Sequence, residues 1–331
     1  MGDGTWTMSR TVTIYTTHSM LIVFRINGAN TMVYMGAGSI IHPEVVLTAA
    51  HITGSVMGVR AGEWDSKTTN EPFAHQTVGV KEIVVHEKYS RHRQNMHYDI
   101  AMLILSSSLI MTDHVGAVCL PPPETARTPT GTRCLATGWG KDKFQNGRYQ
   151  NILKKVELPV VDRRYCQYLL RRTRLGKYFK LHKSFMCAGA EAGIDTCTGD
   201  GGAPLACPIP DQNDRYVQNG IVSWGIGCGD NGLPGVYVDV TFFRQWIDHQ
   251  MCISAVKRVR VFLFLKMAKW SEDTTIKFVS EYVIHECLGN VKNNLYKNKP
   301  ARHSAYTALK EAILFRIERI CRRRCAFIVA L

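Results

Sequence analysis

No apolar run in this sequence approaches the roughly 20 residues that a membrane-crossing helix needs. The stretch Val261-Phe262-Leu263-Phe264-Leu265 is far too short, so no helical span is expected. There is no clear secretory leader either: Met20-Leu21-Ile22-Val23-Phe24 lacks a basic flank and a small-residue cleavage site. Asn-x-Ser/Thr sequons are missing, so glycosylation gives no pointer to compartment. Internal repeats are missing too, which argues against a solenoid or propeller.

Cysteine is not scarce. Eleven in 331 residues is high for a reducing compartment, and the odd number leaves at least one free or bonded to another chain. Disulfide chemistry without an export signal implies that the true N-terminus lies upstream. At 45% hydrophobic and 9% aromatic, the composition is that of an ordinary globular protein. The net charge of +14 is uneven: about +4 falls on residues 1–251 and about +10 on residues 252–331.

Short β-branched runs recur at 21–60, 77–85, 100–105, 135–139, 152–161, 218–223 and 235–240, separated by Gly, Pro, Asn or Asp. That spacing predicts an all-β barrel or sandwich. Helices are expected at Arg163–Arg172, capped by Asp162, and at Thr241–Gln250, where Phe242, Trp246 and Ile247 share a face. The texture changes near Met251, giving three segments: 1–20 unassigned, 21–251 the β domain, and 252–331 a basic, partly helical tail.

Thr48-Ala49-Ala50-His51, Tyr98-Asp99-Ile100-Ala101 and Asp195-Thr196-Cys197-Thr198-Gly199-Asp200-Gly201-Gly202-Ala203-Pro204 occur in that order, followed by Ser223-Trp224-Gly225. Thr137-Gly138-Trp139-Gly140, Met186-Cys187-Ala188-Gly189 and Pro234-Gly235-Val236-Tyr237 accompany them. Over residues 21–251 this set resembles the chymotrypsin/trypsin-like serine protease family. The resemblance implies two six-stranded antiparallel β-barrels and a C-terminal helix. It also implies a triad in which a serine attacks, a histidine takes its proton and a buried aspartate orients the histidine. His51 and Asp99 match the last two roles. The nucleophile position holds Gly201, which has no side chain to acylate, so negligible proteolysis is expected.

The resemblance assigns Asp195, Ser223, Trp224 and Gly225 to substrate binding, and the N–H groups of Gly199 and Gly201 to an oxyanion-like pair. Two readings of Asp195 stay open: the floor of a pocket that still accepts Lys or Arg, or a remnant in an occluded one. Ser223 matches a serine that is structural in the family. Ala203 stands where active members have glycine. Ile52 and Gly36 stand where they have a cysteine pair. Asp200 matches an aspartate that normally meets a cleaved, apolar N-terminus; no basic residue followed by Ile-Val-Gly-Gly occurs, so a buried carboxylate without a partner is expected.

These departures are similar to the non-catalytic serine protease homologues of arthropods, of the masquerade-like or prophenoloxidase-activating type. That resemblance implies a secreted, extracellular binding cofactor in a protease cascade, with an active protease or prophenoloxidase as partner. It implies no membrane association and no small-molecule cofactor. It also implies the disulfides Cys134–Cys207, Cys166–Cys187 and Cys197–Cys228. Cys119 matches a cysteine that bonds to an N-terminal segment; Cys252, Cys287, Cys321 and Cys325 have no assignable partners. Family membership taken generally would instead imply an active trypsin-like endopeptidase.

Three lesser candidates have plain alternatives. His86, His92 and His97 fit no compact metal pattern and read as a solvated loop. Glu63, Asp65 and Glu71 resemble the family's calcium loop, but a surface turn accounts for them equally. The basic run Arg171, Arg172, Arg174, Lys177, Lys180 and Lys183 could meet an acidic protein surface or polyanion, or remain a solvated face. Residues 269–313 weakly resemble MADF or Myb/SANT-like DNA-binding domains. Nucleic-acid binding through the tail is therefore a further reading, set against a mis-joined gene model and disfavoured by a disulfide-stapled body.

Overall fold

The computed structural model describes residues 18–267, apart from 29–30, 69–70, 72, 90–95, 124, 213 and 230–231. The tail beyond 267, its MADF-like stretch and His92 lie outside the described residues. Two compact units divide the chain at Arg244/Gln245. The first holds every strand described. The change of sequence texture near 251 falls within a single helix rather than at an element boundary.

The first barrel is built from β1 (Met20–Ile26), β2 (Met32–His42), β3 (Val45–Thr48), β4 (Met57–Ala61), β5 (Gln76–Val85) and β6 (Ala101–Leu105). It closes in the order β1-β2-β3-β6-β5-β4 with antiparallel neighbours. The second takes β7 (Arg133–Gly138), β8 (Lys154–Val161), β9 (Phe185–Gly189), β10 (Pro204–Pro208), β11 (Tyr216–Trp224) and β12 (Pro234–Asp239) in the order β10-β11-β12-β9-β8-β7. These are the two six-stranded barrels that the motif set implied.

Strand alternation decides where the cores sit. On β1, Leu21 and Val23 point into the first barrel, against Ile40, Val46, Leu103 and Leu105. Met20, Ile22 and Phe24 point the other way and join Leu158, Leu205, Val222 and Tyr237 of the second. One strand thus feeds two cores, and its near-continuous apolar sequence follows from being buried on both faces. Full closure leaves neither sheet an open edge.

Helix α1 (Arg163–Arg171) starts where expected, because the Asp162 carboxylate accepts the N–H groups of Arg164 and Tyr165, both at 2.9 Å. Helix α2 (Val240–Met267) outruns the expected Thr241–Gln250. No Gly or Pro interrupts the sequence from Val240 to Met267, so nothing local stops the helix. The disulfides are Cys134–Cys207, Cys166–Cys187 and Cys197–Cys228, as the resemblance implied, and Cys119 is free.

Candidate functional site

His51 sits on a single 3-10 turn, Ala50–Ile52, directly after β3. Asp99 immediately precedes β6, which pairs with β3, so the strand ladder itself brings the two together. His51 Nδ1 lies 2.7 Å from Asp99 Oδ2, and the backbone N–H of His51 donates to Oδ1 at 2.8 Å. Asp99 is fully buried, while His51 keeps 24% of its side chain exposed. An ionised carboxylate only accepts, so in the neutral ring it holds the imidazole proton on Nδ1 and leaves the Nε2 lone pair free.

The third partner of Asp99 is Ser223, whose hydroxyl donates to Oδ2 at 2.5 Å. The register of β11 against β12 slips between Val222 and Trp224. Ser223 is the bulged residue, and the bulge re-aims its side chain. Its hydroxyl is thereby engaged by the aspartate.

The loop 197–203 faces His51. A Cβ built on Gly201 falls 2.6 Å from His51 Nε2, 3.1 Å from its Cε1 and 3.3 Å from Ile52 Cγ2. Position 201 therefore points at the free nitrogen, but the imidazole occupies space that a side chain there would need. Among the described residues no hydroxyl is hydrogen-bonded to His51 Nε2. Thr196 Oγ1 is hydrogen-bonded to Tyr237 Oη at 3.0 Å, and Ser223 is committed to Asp99.

The loop is nevertheless held firmly. Gly201 C=O accepts from Ala37 at 2.9 Å, Gly202 N–H donates to Val222 at 2.9 Å, and Thr198 C=O accepts from Lys141 at 2.8 Å. Gly202 has φ +84, and a Cβ there would lie 2.2 Å from Ala37 O, so only glycine fits. Two aromatics that the sequence did not flag clamp the other side. Tyr34 Oη donates to Gly199 O at 2.7 Å, and Tyr149 meets Tyr34 edge-on at 5.9 Å. They come from distant segments, and nothing local marks either one. No acceptor among the described residues takes the N–H of Gly199 or Gly201.

Asp200 is buried but not unpartnered, in contrast to the expectation. Gly140 N–H donates to Oδ1 and Cys197 N–H to Oδ2, both at 2.8 Å. Burial still pushes its pKa up to about 6, against the pull of those two donors. A Cβ on Gly138 or Gly140 would run into this carboxylate, which is why the Gly-Trp-Gly turn borders it. Ala203 is fully buried in the second core and shows no left-handed backbone, so its methyl is simply packed. Ile52 has its methyl groups 3.1 and 3.3 Å from where a Gly36 Cβ would stand. The isoleucine fills the space that a cysteine pair would bridge.

Asp195 is half-buried. Its Oδ1 accepts from Thr196 at 2.8 Å and its Oδ2 from Gly229 at 3.1 Å. Gly235 lies over it, and a Cβ at Gly225 would meet only Gly227 O, at 3.4 Å. Trp224 is braced edge-on by Phe179 at 6.1 Å and Phe185 at 5.9 Å.

The remaining candidates separate. His86 is a core residue, stacked on Tyr98 at 5.0 Å with Phe243 edge-on at 5.2 Å. His97 stacks on His182 at 4.1 Å; burial, and then the charge of His97, lower the His182 pKa to about 4. Glu63, Glu71 and His75 gather their ligand atoms within 4.8 Å. Asp65 turns away to accept from Lys67 at 3.1 Å. Arg60 already bonds Glu63 at 3.1 Å, while Glu71 Oε1 accepts the N–H groups of Trp64 and Asp65. Calcium takes six to eight oxygens; this group brings two carboxylates, of which Glu63 keeps Oε1 buried without a partner among the described residues, and an imidazole.

No described helix is long and apolar enough to cross a membrane. The family model for trypsin matches residues 14–247. Phenoloxidase-activating factor 2 of Galleria mellonella is 57% identical over 227 residues, 68% of this chain and 74% of that protein. The inactive CLIP domain-containing serine protease A28 of Anopheles gambiae is 40% identical over 230 residues. Its counterpart A3 of Aedes aegypti is 45% identical over 231. The chain spans 59% and 47% of the lengths of these last two. The two closed barrels, the facing of His51, Asp99 and position 201 across them, and the family match over most of the length agree: the chain belongs to the trypsin family.

Proposed function

We propose that this chain is a catalytically inactive protease homologue that acts by binding, as a secreted cofactor or regulator in an extracellular protease cascade. The observation that carries this is position 201. His51, Asp99 and Ser223 form a hydrogen-bonded relay with its free nitrogen aimed at a residue that has no nucleophile. Without a triad member only a residual ~10³–10⁴-fold acceleration over water remains, against 10⁶ or more for a typical enzyme. The three disulfides favour an oxidising, extracellular setting. The names of the relatives support prophenoloxidase activation as the cascade, with an active protease or prophenoloxidase as the partner.

On this reading Asp195, whose carboxylate accepts from Thr196 and Gly229, would receive a Lys or Arg side chain of the partner. The test uses the full chain. It should turn over no arginyl peptide substrate and take no label from a serine-directed fluorophosphonate. It should raise the yield of active phenoloxidase when added to prophenoloxidase and an active protease. Turnover at ordinary protease rates that the fluorophosphonate abolishes would refute inactivity, and an unchanged phenoloxidase yield would refute the cofactor role.

A further inference from the structure

The loop closed by Cys166–Cys187 carries a charge pattern that the cleft does not use. From Arg163 to Ala190 the sequence has eight Lys and Arg and no Asp or Glu. Two of the eight turn inward: Arg163 onto the carbonyls of Phe185 and Leu181, and Arg171 onto that of Phe179. The other six are exposed. No carboxylate among the described residues pairs with any of them, whereas Arg133 on β7 is held by both Glu157 and Glu191.

Three tyrosines share this surface. Tyr165 and Tyr168 are 54% and 53% exposed and stack at 6.3 Å, and Tyr178 is 83% exposed. Arg172 lies 5.6 Å over the Tyr168 ring and donates to its hydroxyl at 3.1 Å. Along α1 and its C-cap, Arg164, Tyr168 and Arg172 follow one another at four-residue spacing and so line one edge. A face that is merely solvated would intersperse both signs of charge. This one keeps like charges together and leaves large aromatic faces in water.

We propose that this face docks an acidic segment of a protein partner. Its carboxylates would sit on the forks of Arg164, Arg172 and Arg174, and its apolar side chains against the tyrosines. The balance of Tyr and Arg favours a protein over a polysaccharide, because these residues are enriched at the energetic centres of protein interfaces. A stacked tyrosine has little rotamer entropy to lose on binding, and a guanidinium fork matches a carboxylate bidentately. Phe179, against Trp224, anchors this loop to the wall of the cleft. A partner bound here lies beside the cleft, and the proposal stands whether or not Gly201 has ended proteolysis.

The test is fluorescence anisotropy on the full chain, with a labelled peptide of Glu and Tyr as probe and a heparin oligosaccharide as the competing polyanion. Three double variants are compared: Arg172→Glu with Arg174→Glu, Tyr165→Ser with Tyr168→Ser, and the charge-matched control Lys81→Glu with Lys154→Glu, both at exposed positions elsewhere. Melting curves confirm that each is folded. The expected result is saturable peptide binding, weakened about tenfold or more by the arginine pair and severalfold by the tyrosine pair. The control should bind like the parent. An equal loss in the control would reduce the effect to net charge and overturn the proposal. So would a tyrosine pair that binds like the parent while heparin shows the same arginine dependence, which marks a general polyanion surface. Absence of saturable peptide binding also overturns it.

Discussion

On the proposed reading of position 201, placing a hydroxyl there is the sharpest test of how far this site stands from a working protease. A serine at 201 needs a Cβ where the structure leaves 2.6 Å to His51 Nε2, whereas ordinary contact begins at 3.4 Å. Something must move by about 0.8 Å, the difference between those two distances. The imidazole is not free to do so. It is tethered through Nδ1 and through its own backbone N–H to a buried aspartate. The loop is not free either, since the carbonyl of Gly201 accepts from Ala37 and the N–H of Gly202 donates to Val222. Overpacking of this kind costs about 1–3 kcal/mol, and a misplacement near 1 Å costs a catalytic site roughly 100-fold. Gly201→Ser is therefore expected to be less stable than the parent by that amount in urea melts. On an arginyl peptide substrate it should be at least ~100-fold slower than an active relative assayed alongside. Fluorophosphonate labelling should be correspondingly slow. Labelling and turnover at the active relative's rate, with no loss of stability, would refute the reasoning, because it would mean that His51 withdraws at no cost.

Two further outcomes follow from the loop and its staples. The folded pKa of Asp200, about 6, exceeds its ordinary value of 3.8, so between those values the folded state holds the extra proton. Its contribution to stability is fully present below the lower value and is lost as pH rises through the upper one. Two units correspond to about 3 kcal/mol; the stability of the parent relative to Asp200→Asn should improve by up to that much from pH 7 to pH 4, and a flat difference would remove burial as the dominant influence. The Cys166–Cys187 bridge spans 21 residues and should stabilise by about 3 kcal/mol in the chain-entropy model. Replacing both cysteines by alanine should lower the urea midpoint accordingly, and an unchanged midpoint would show that the loop needs no closure.

The β pattern was legible because a buried strand writes its environment into sequence. Runs such as Val45–Thr48 and Ala101–Leu105 are buried at every position, and the gaps between them carry turn formers. The motif glycines were legible as residue types because each is sterically required where it stands. Gly202 is forced by a contact with Ala37 O, and Gly138 and Gly140 are forced by the Asp200 carboxylate. The length of α2 was not, since a change of composition near Met251 carries no signal to stop a helix.

By itself the sequence determined the residue types: an imidazole at 51, a carboxylate at 99, glycine at 201 and 36, and isoleucine at 52. It also determined the pattern that closes two barrels, since burial on one or both faces of a strand is a property of composition and period. Only the tertiary structure decided who meets whom. It gave Asp200 the N–H groups of Gly140 and Cys197, though the lack of a basic residue followed by Ile-Val-Gly-Gly implied an orphan. It turned Ser223 onto Asp99 through a slip in strand register, and it brought Tyr34 and Tyr149 from distant segments onto the loop. It set His51 Nε2 within 2.6 Å of where a Cβ at position 201 would stand. These are long-range contacts, fixed by how strands register and pack, and no local stretch of sequence encodes them.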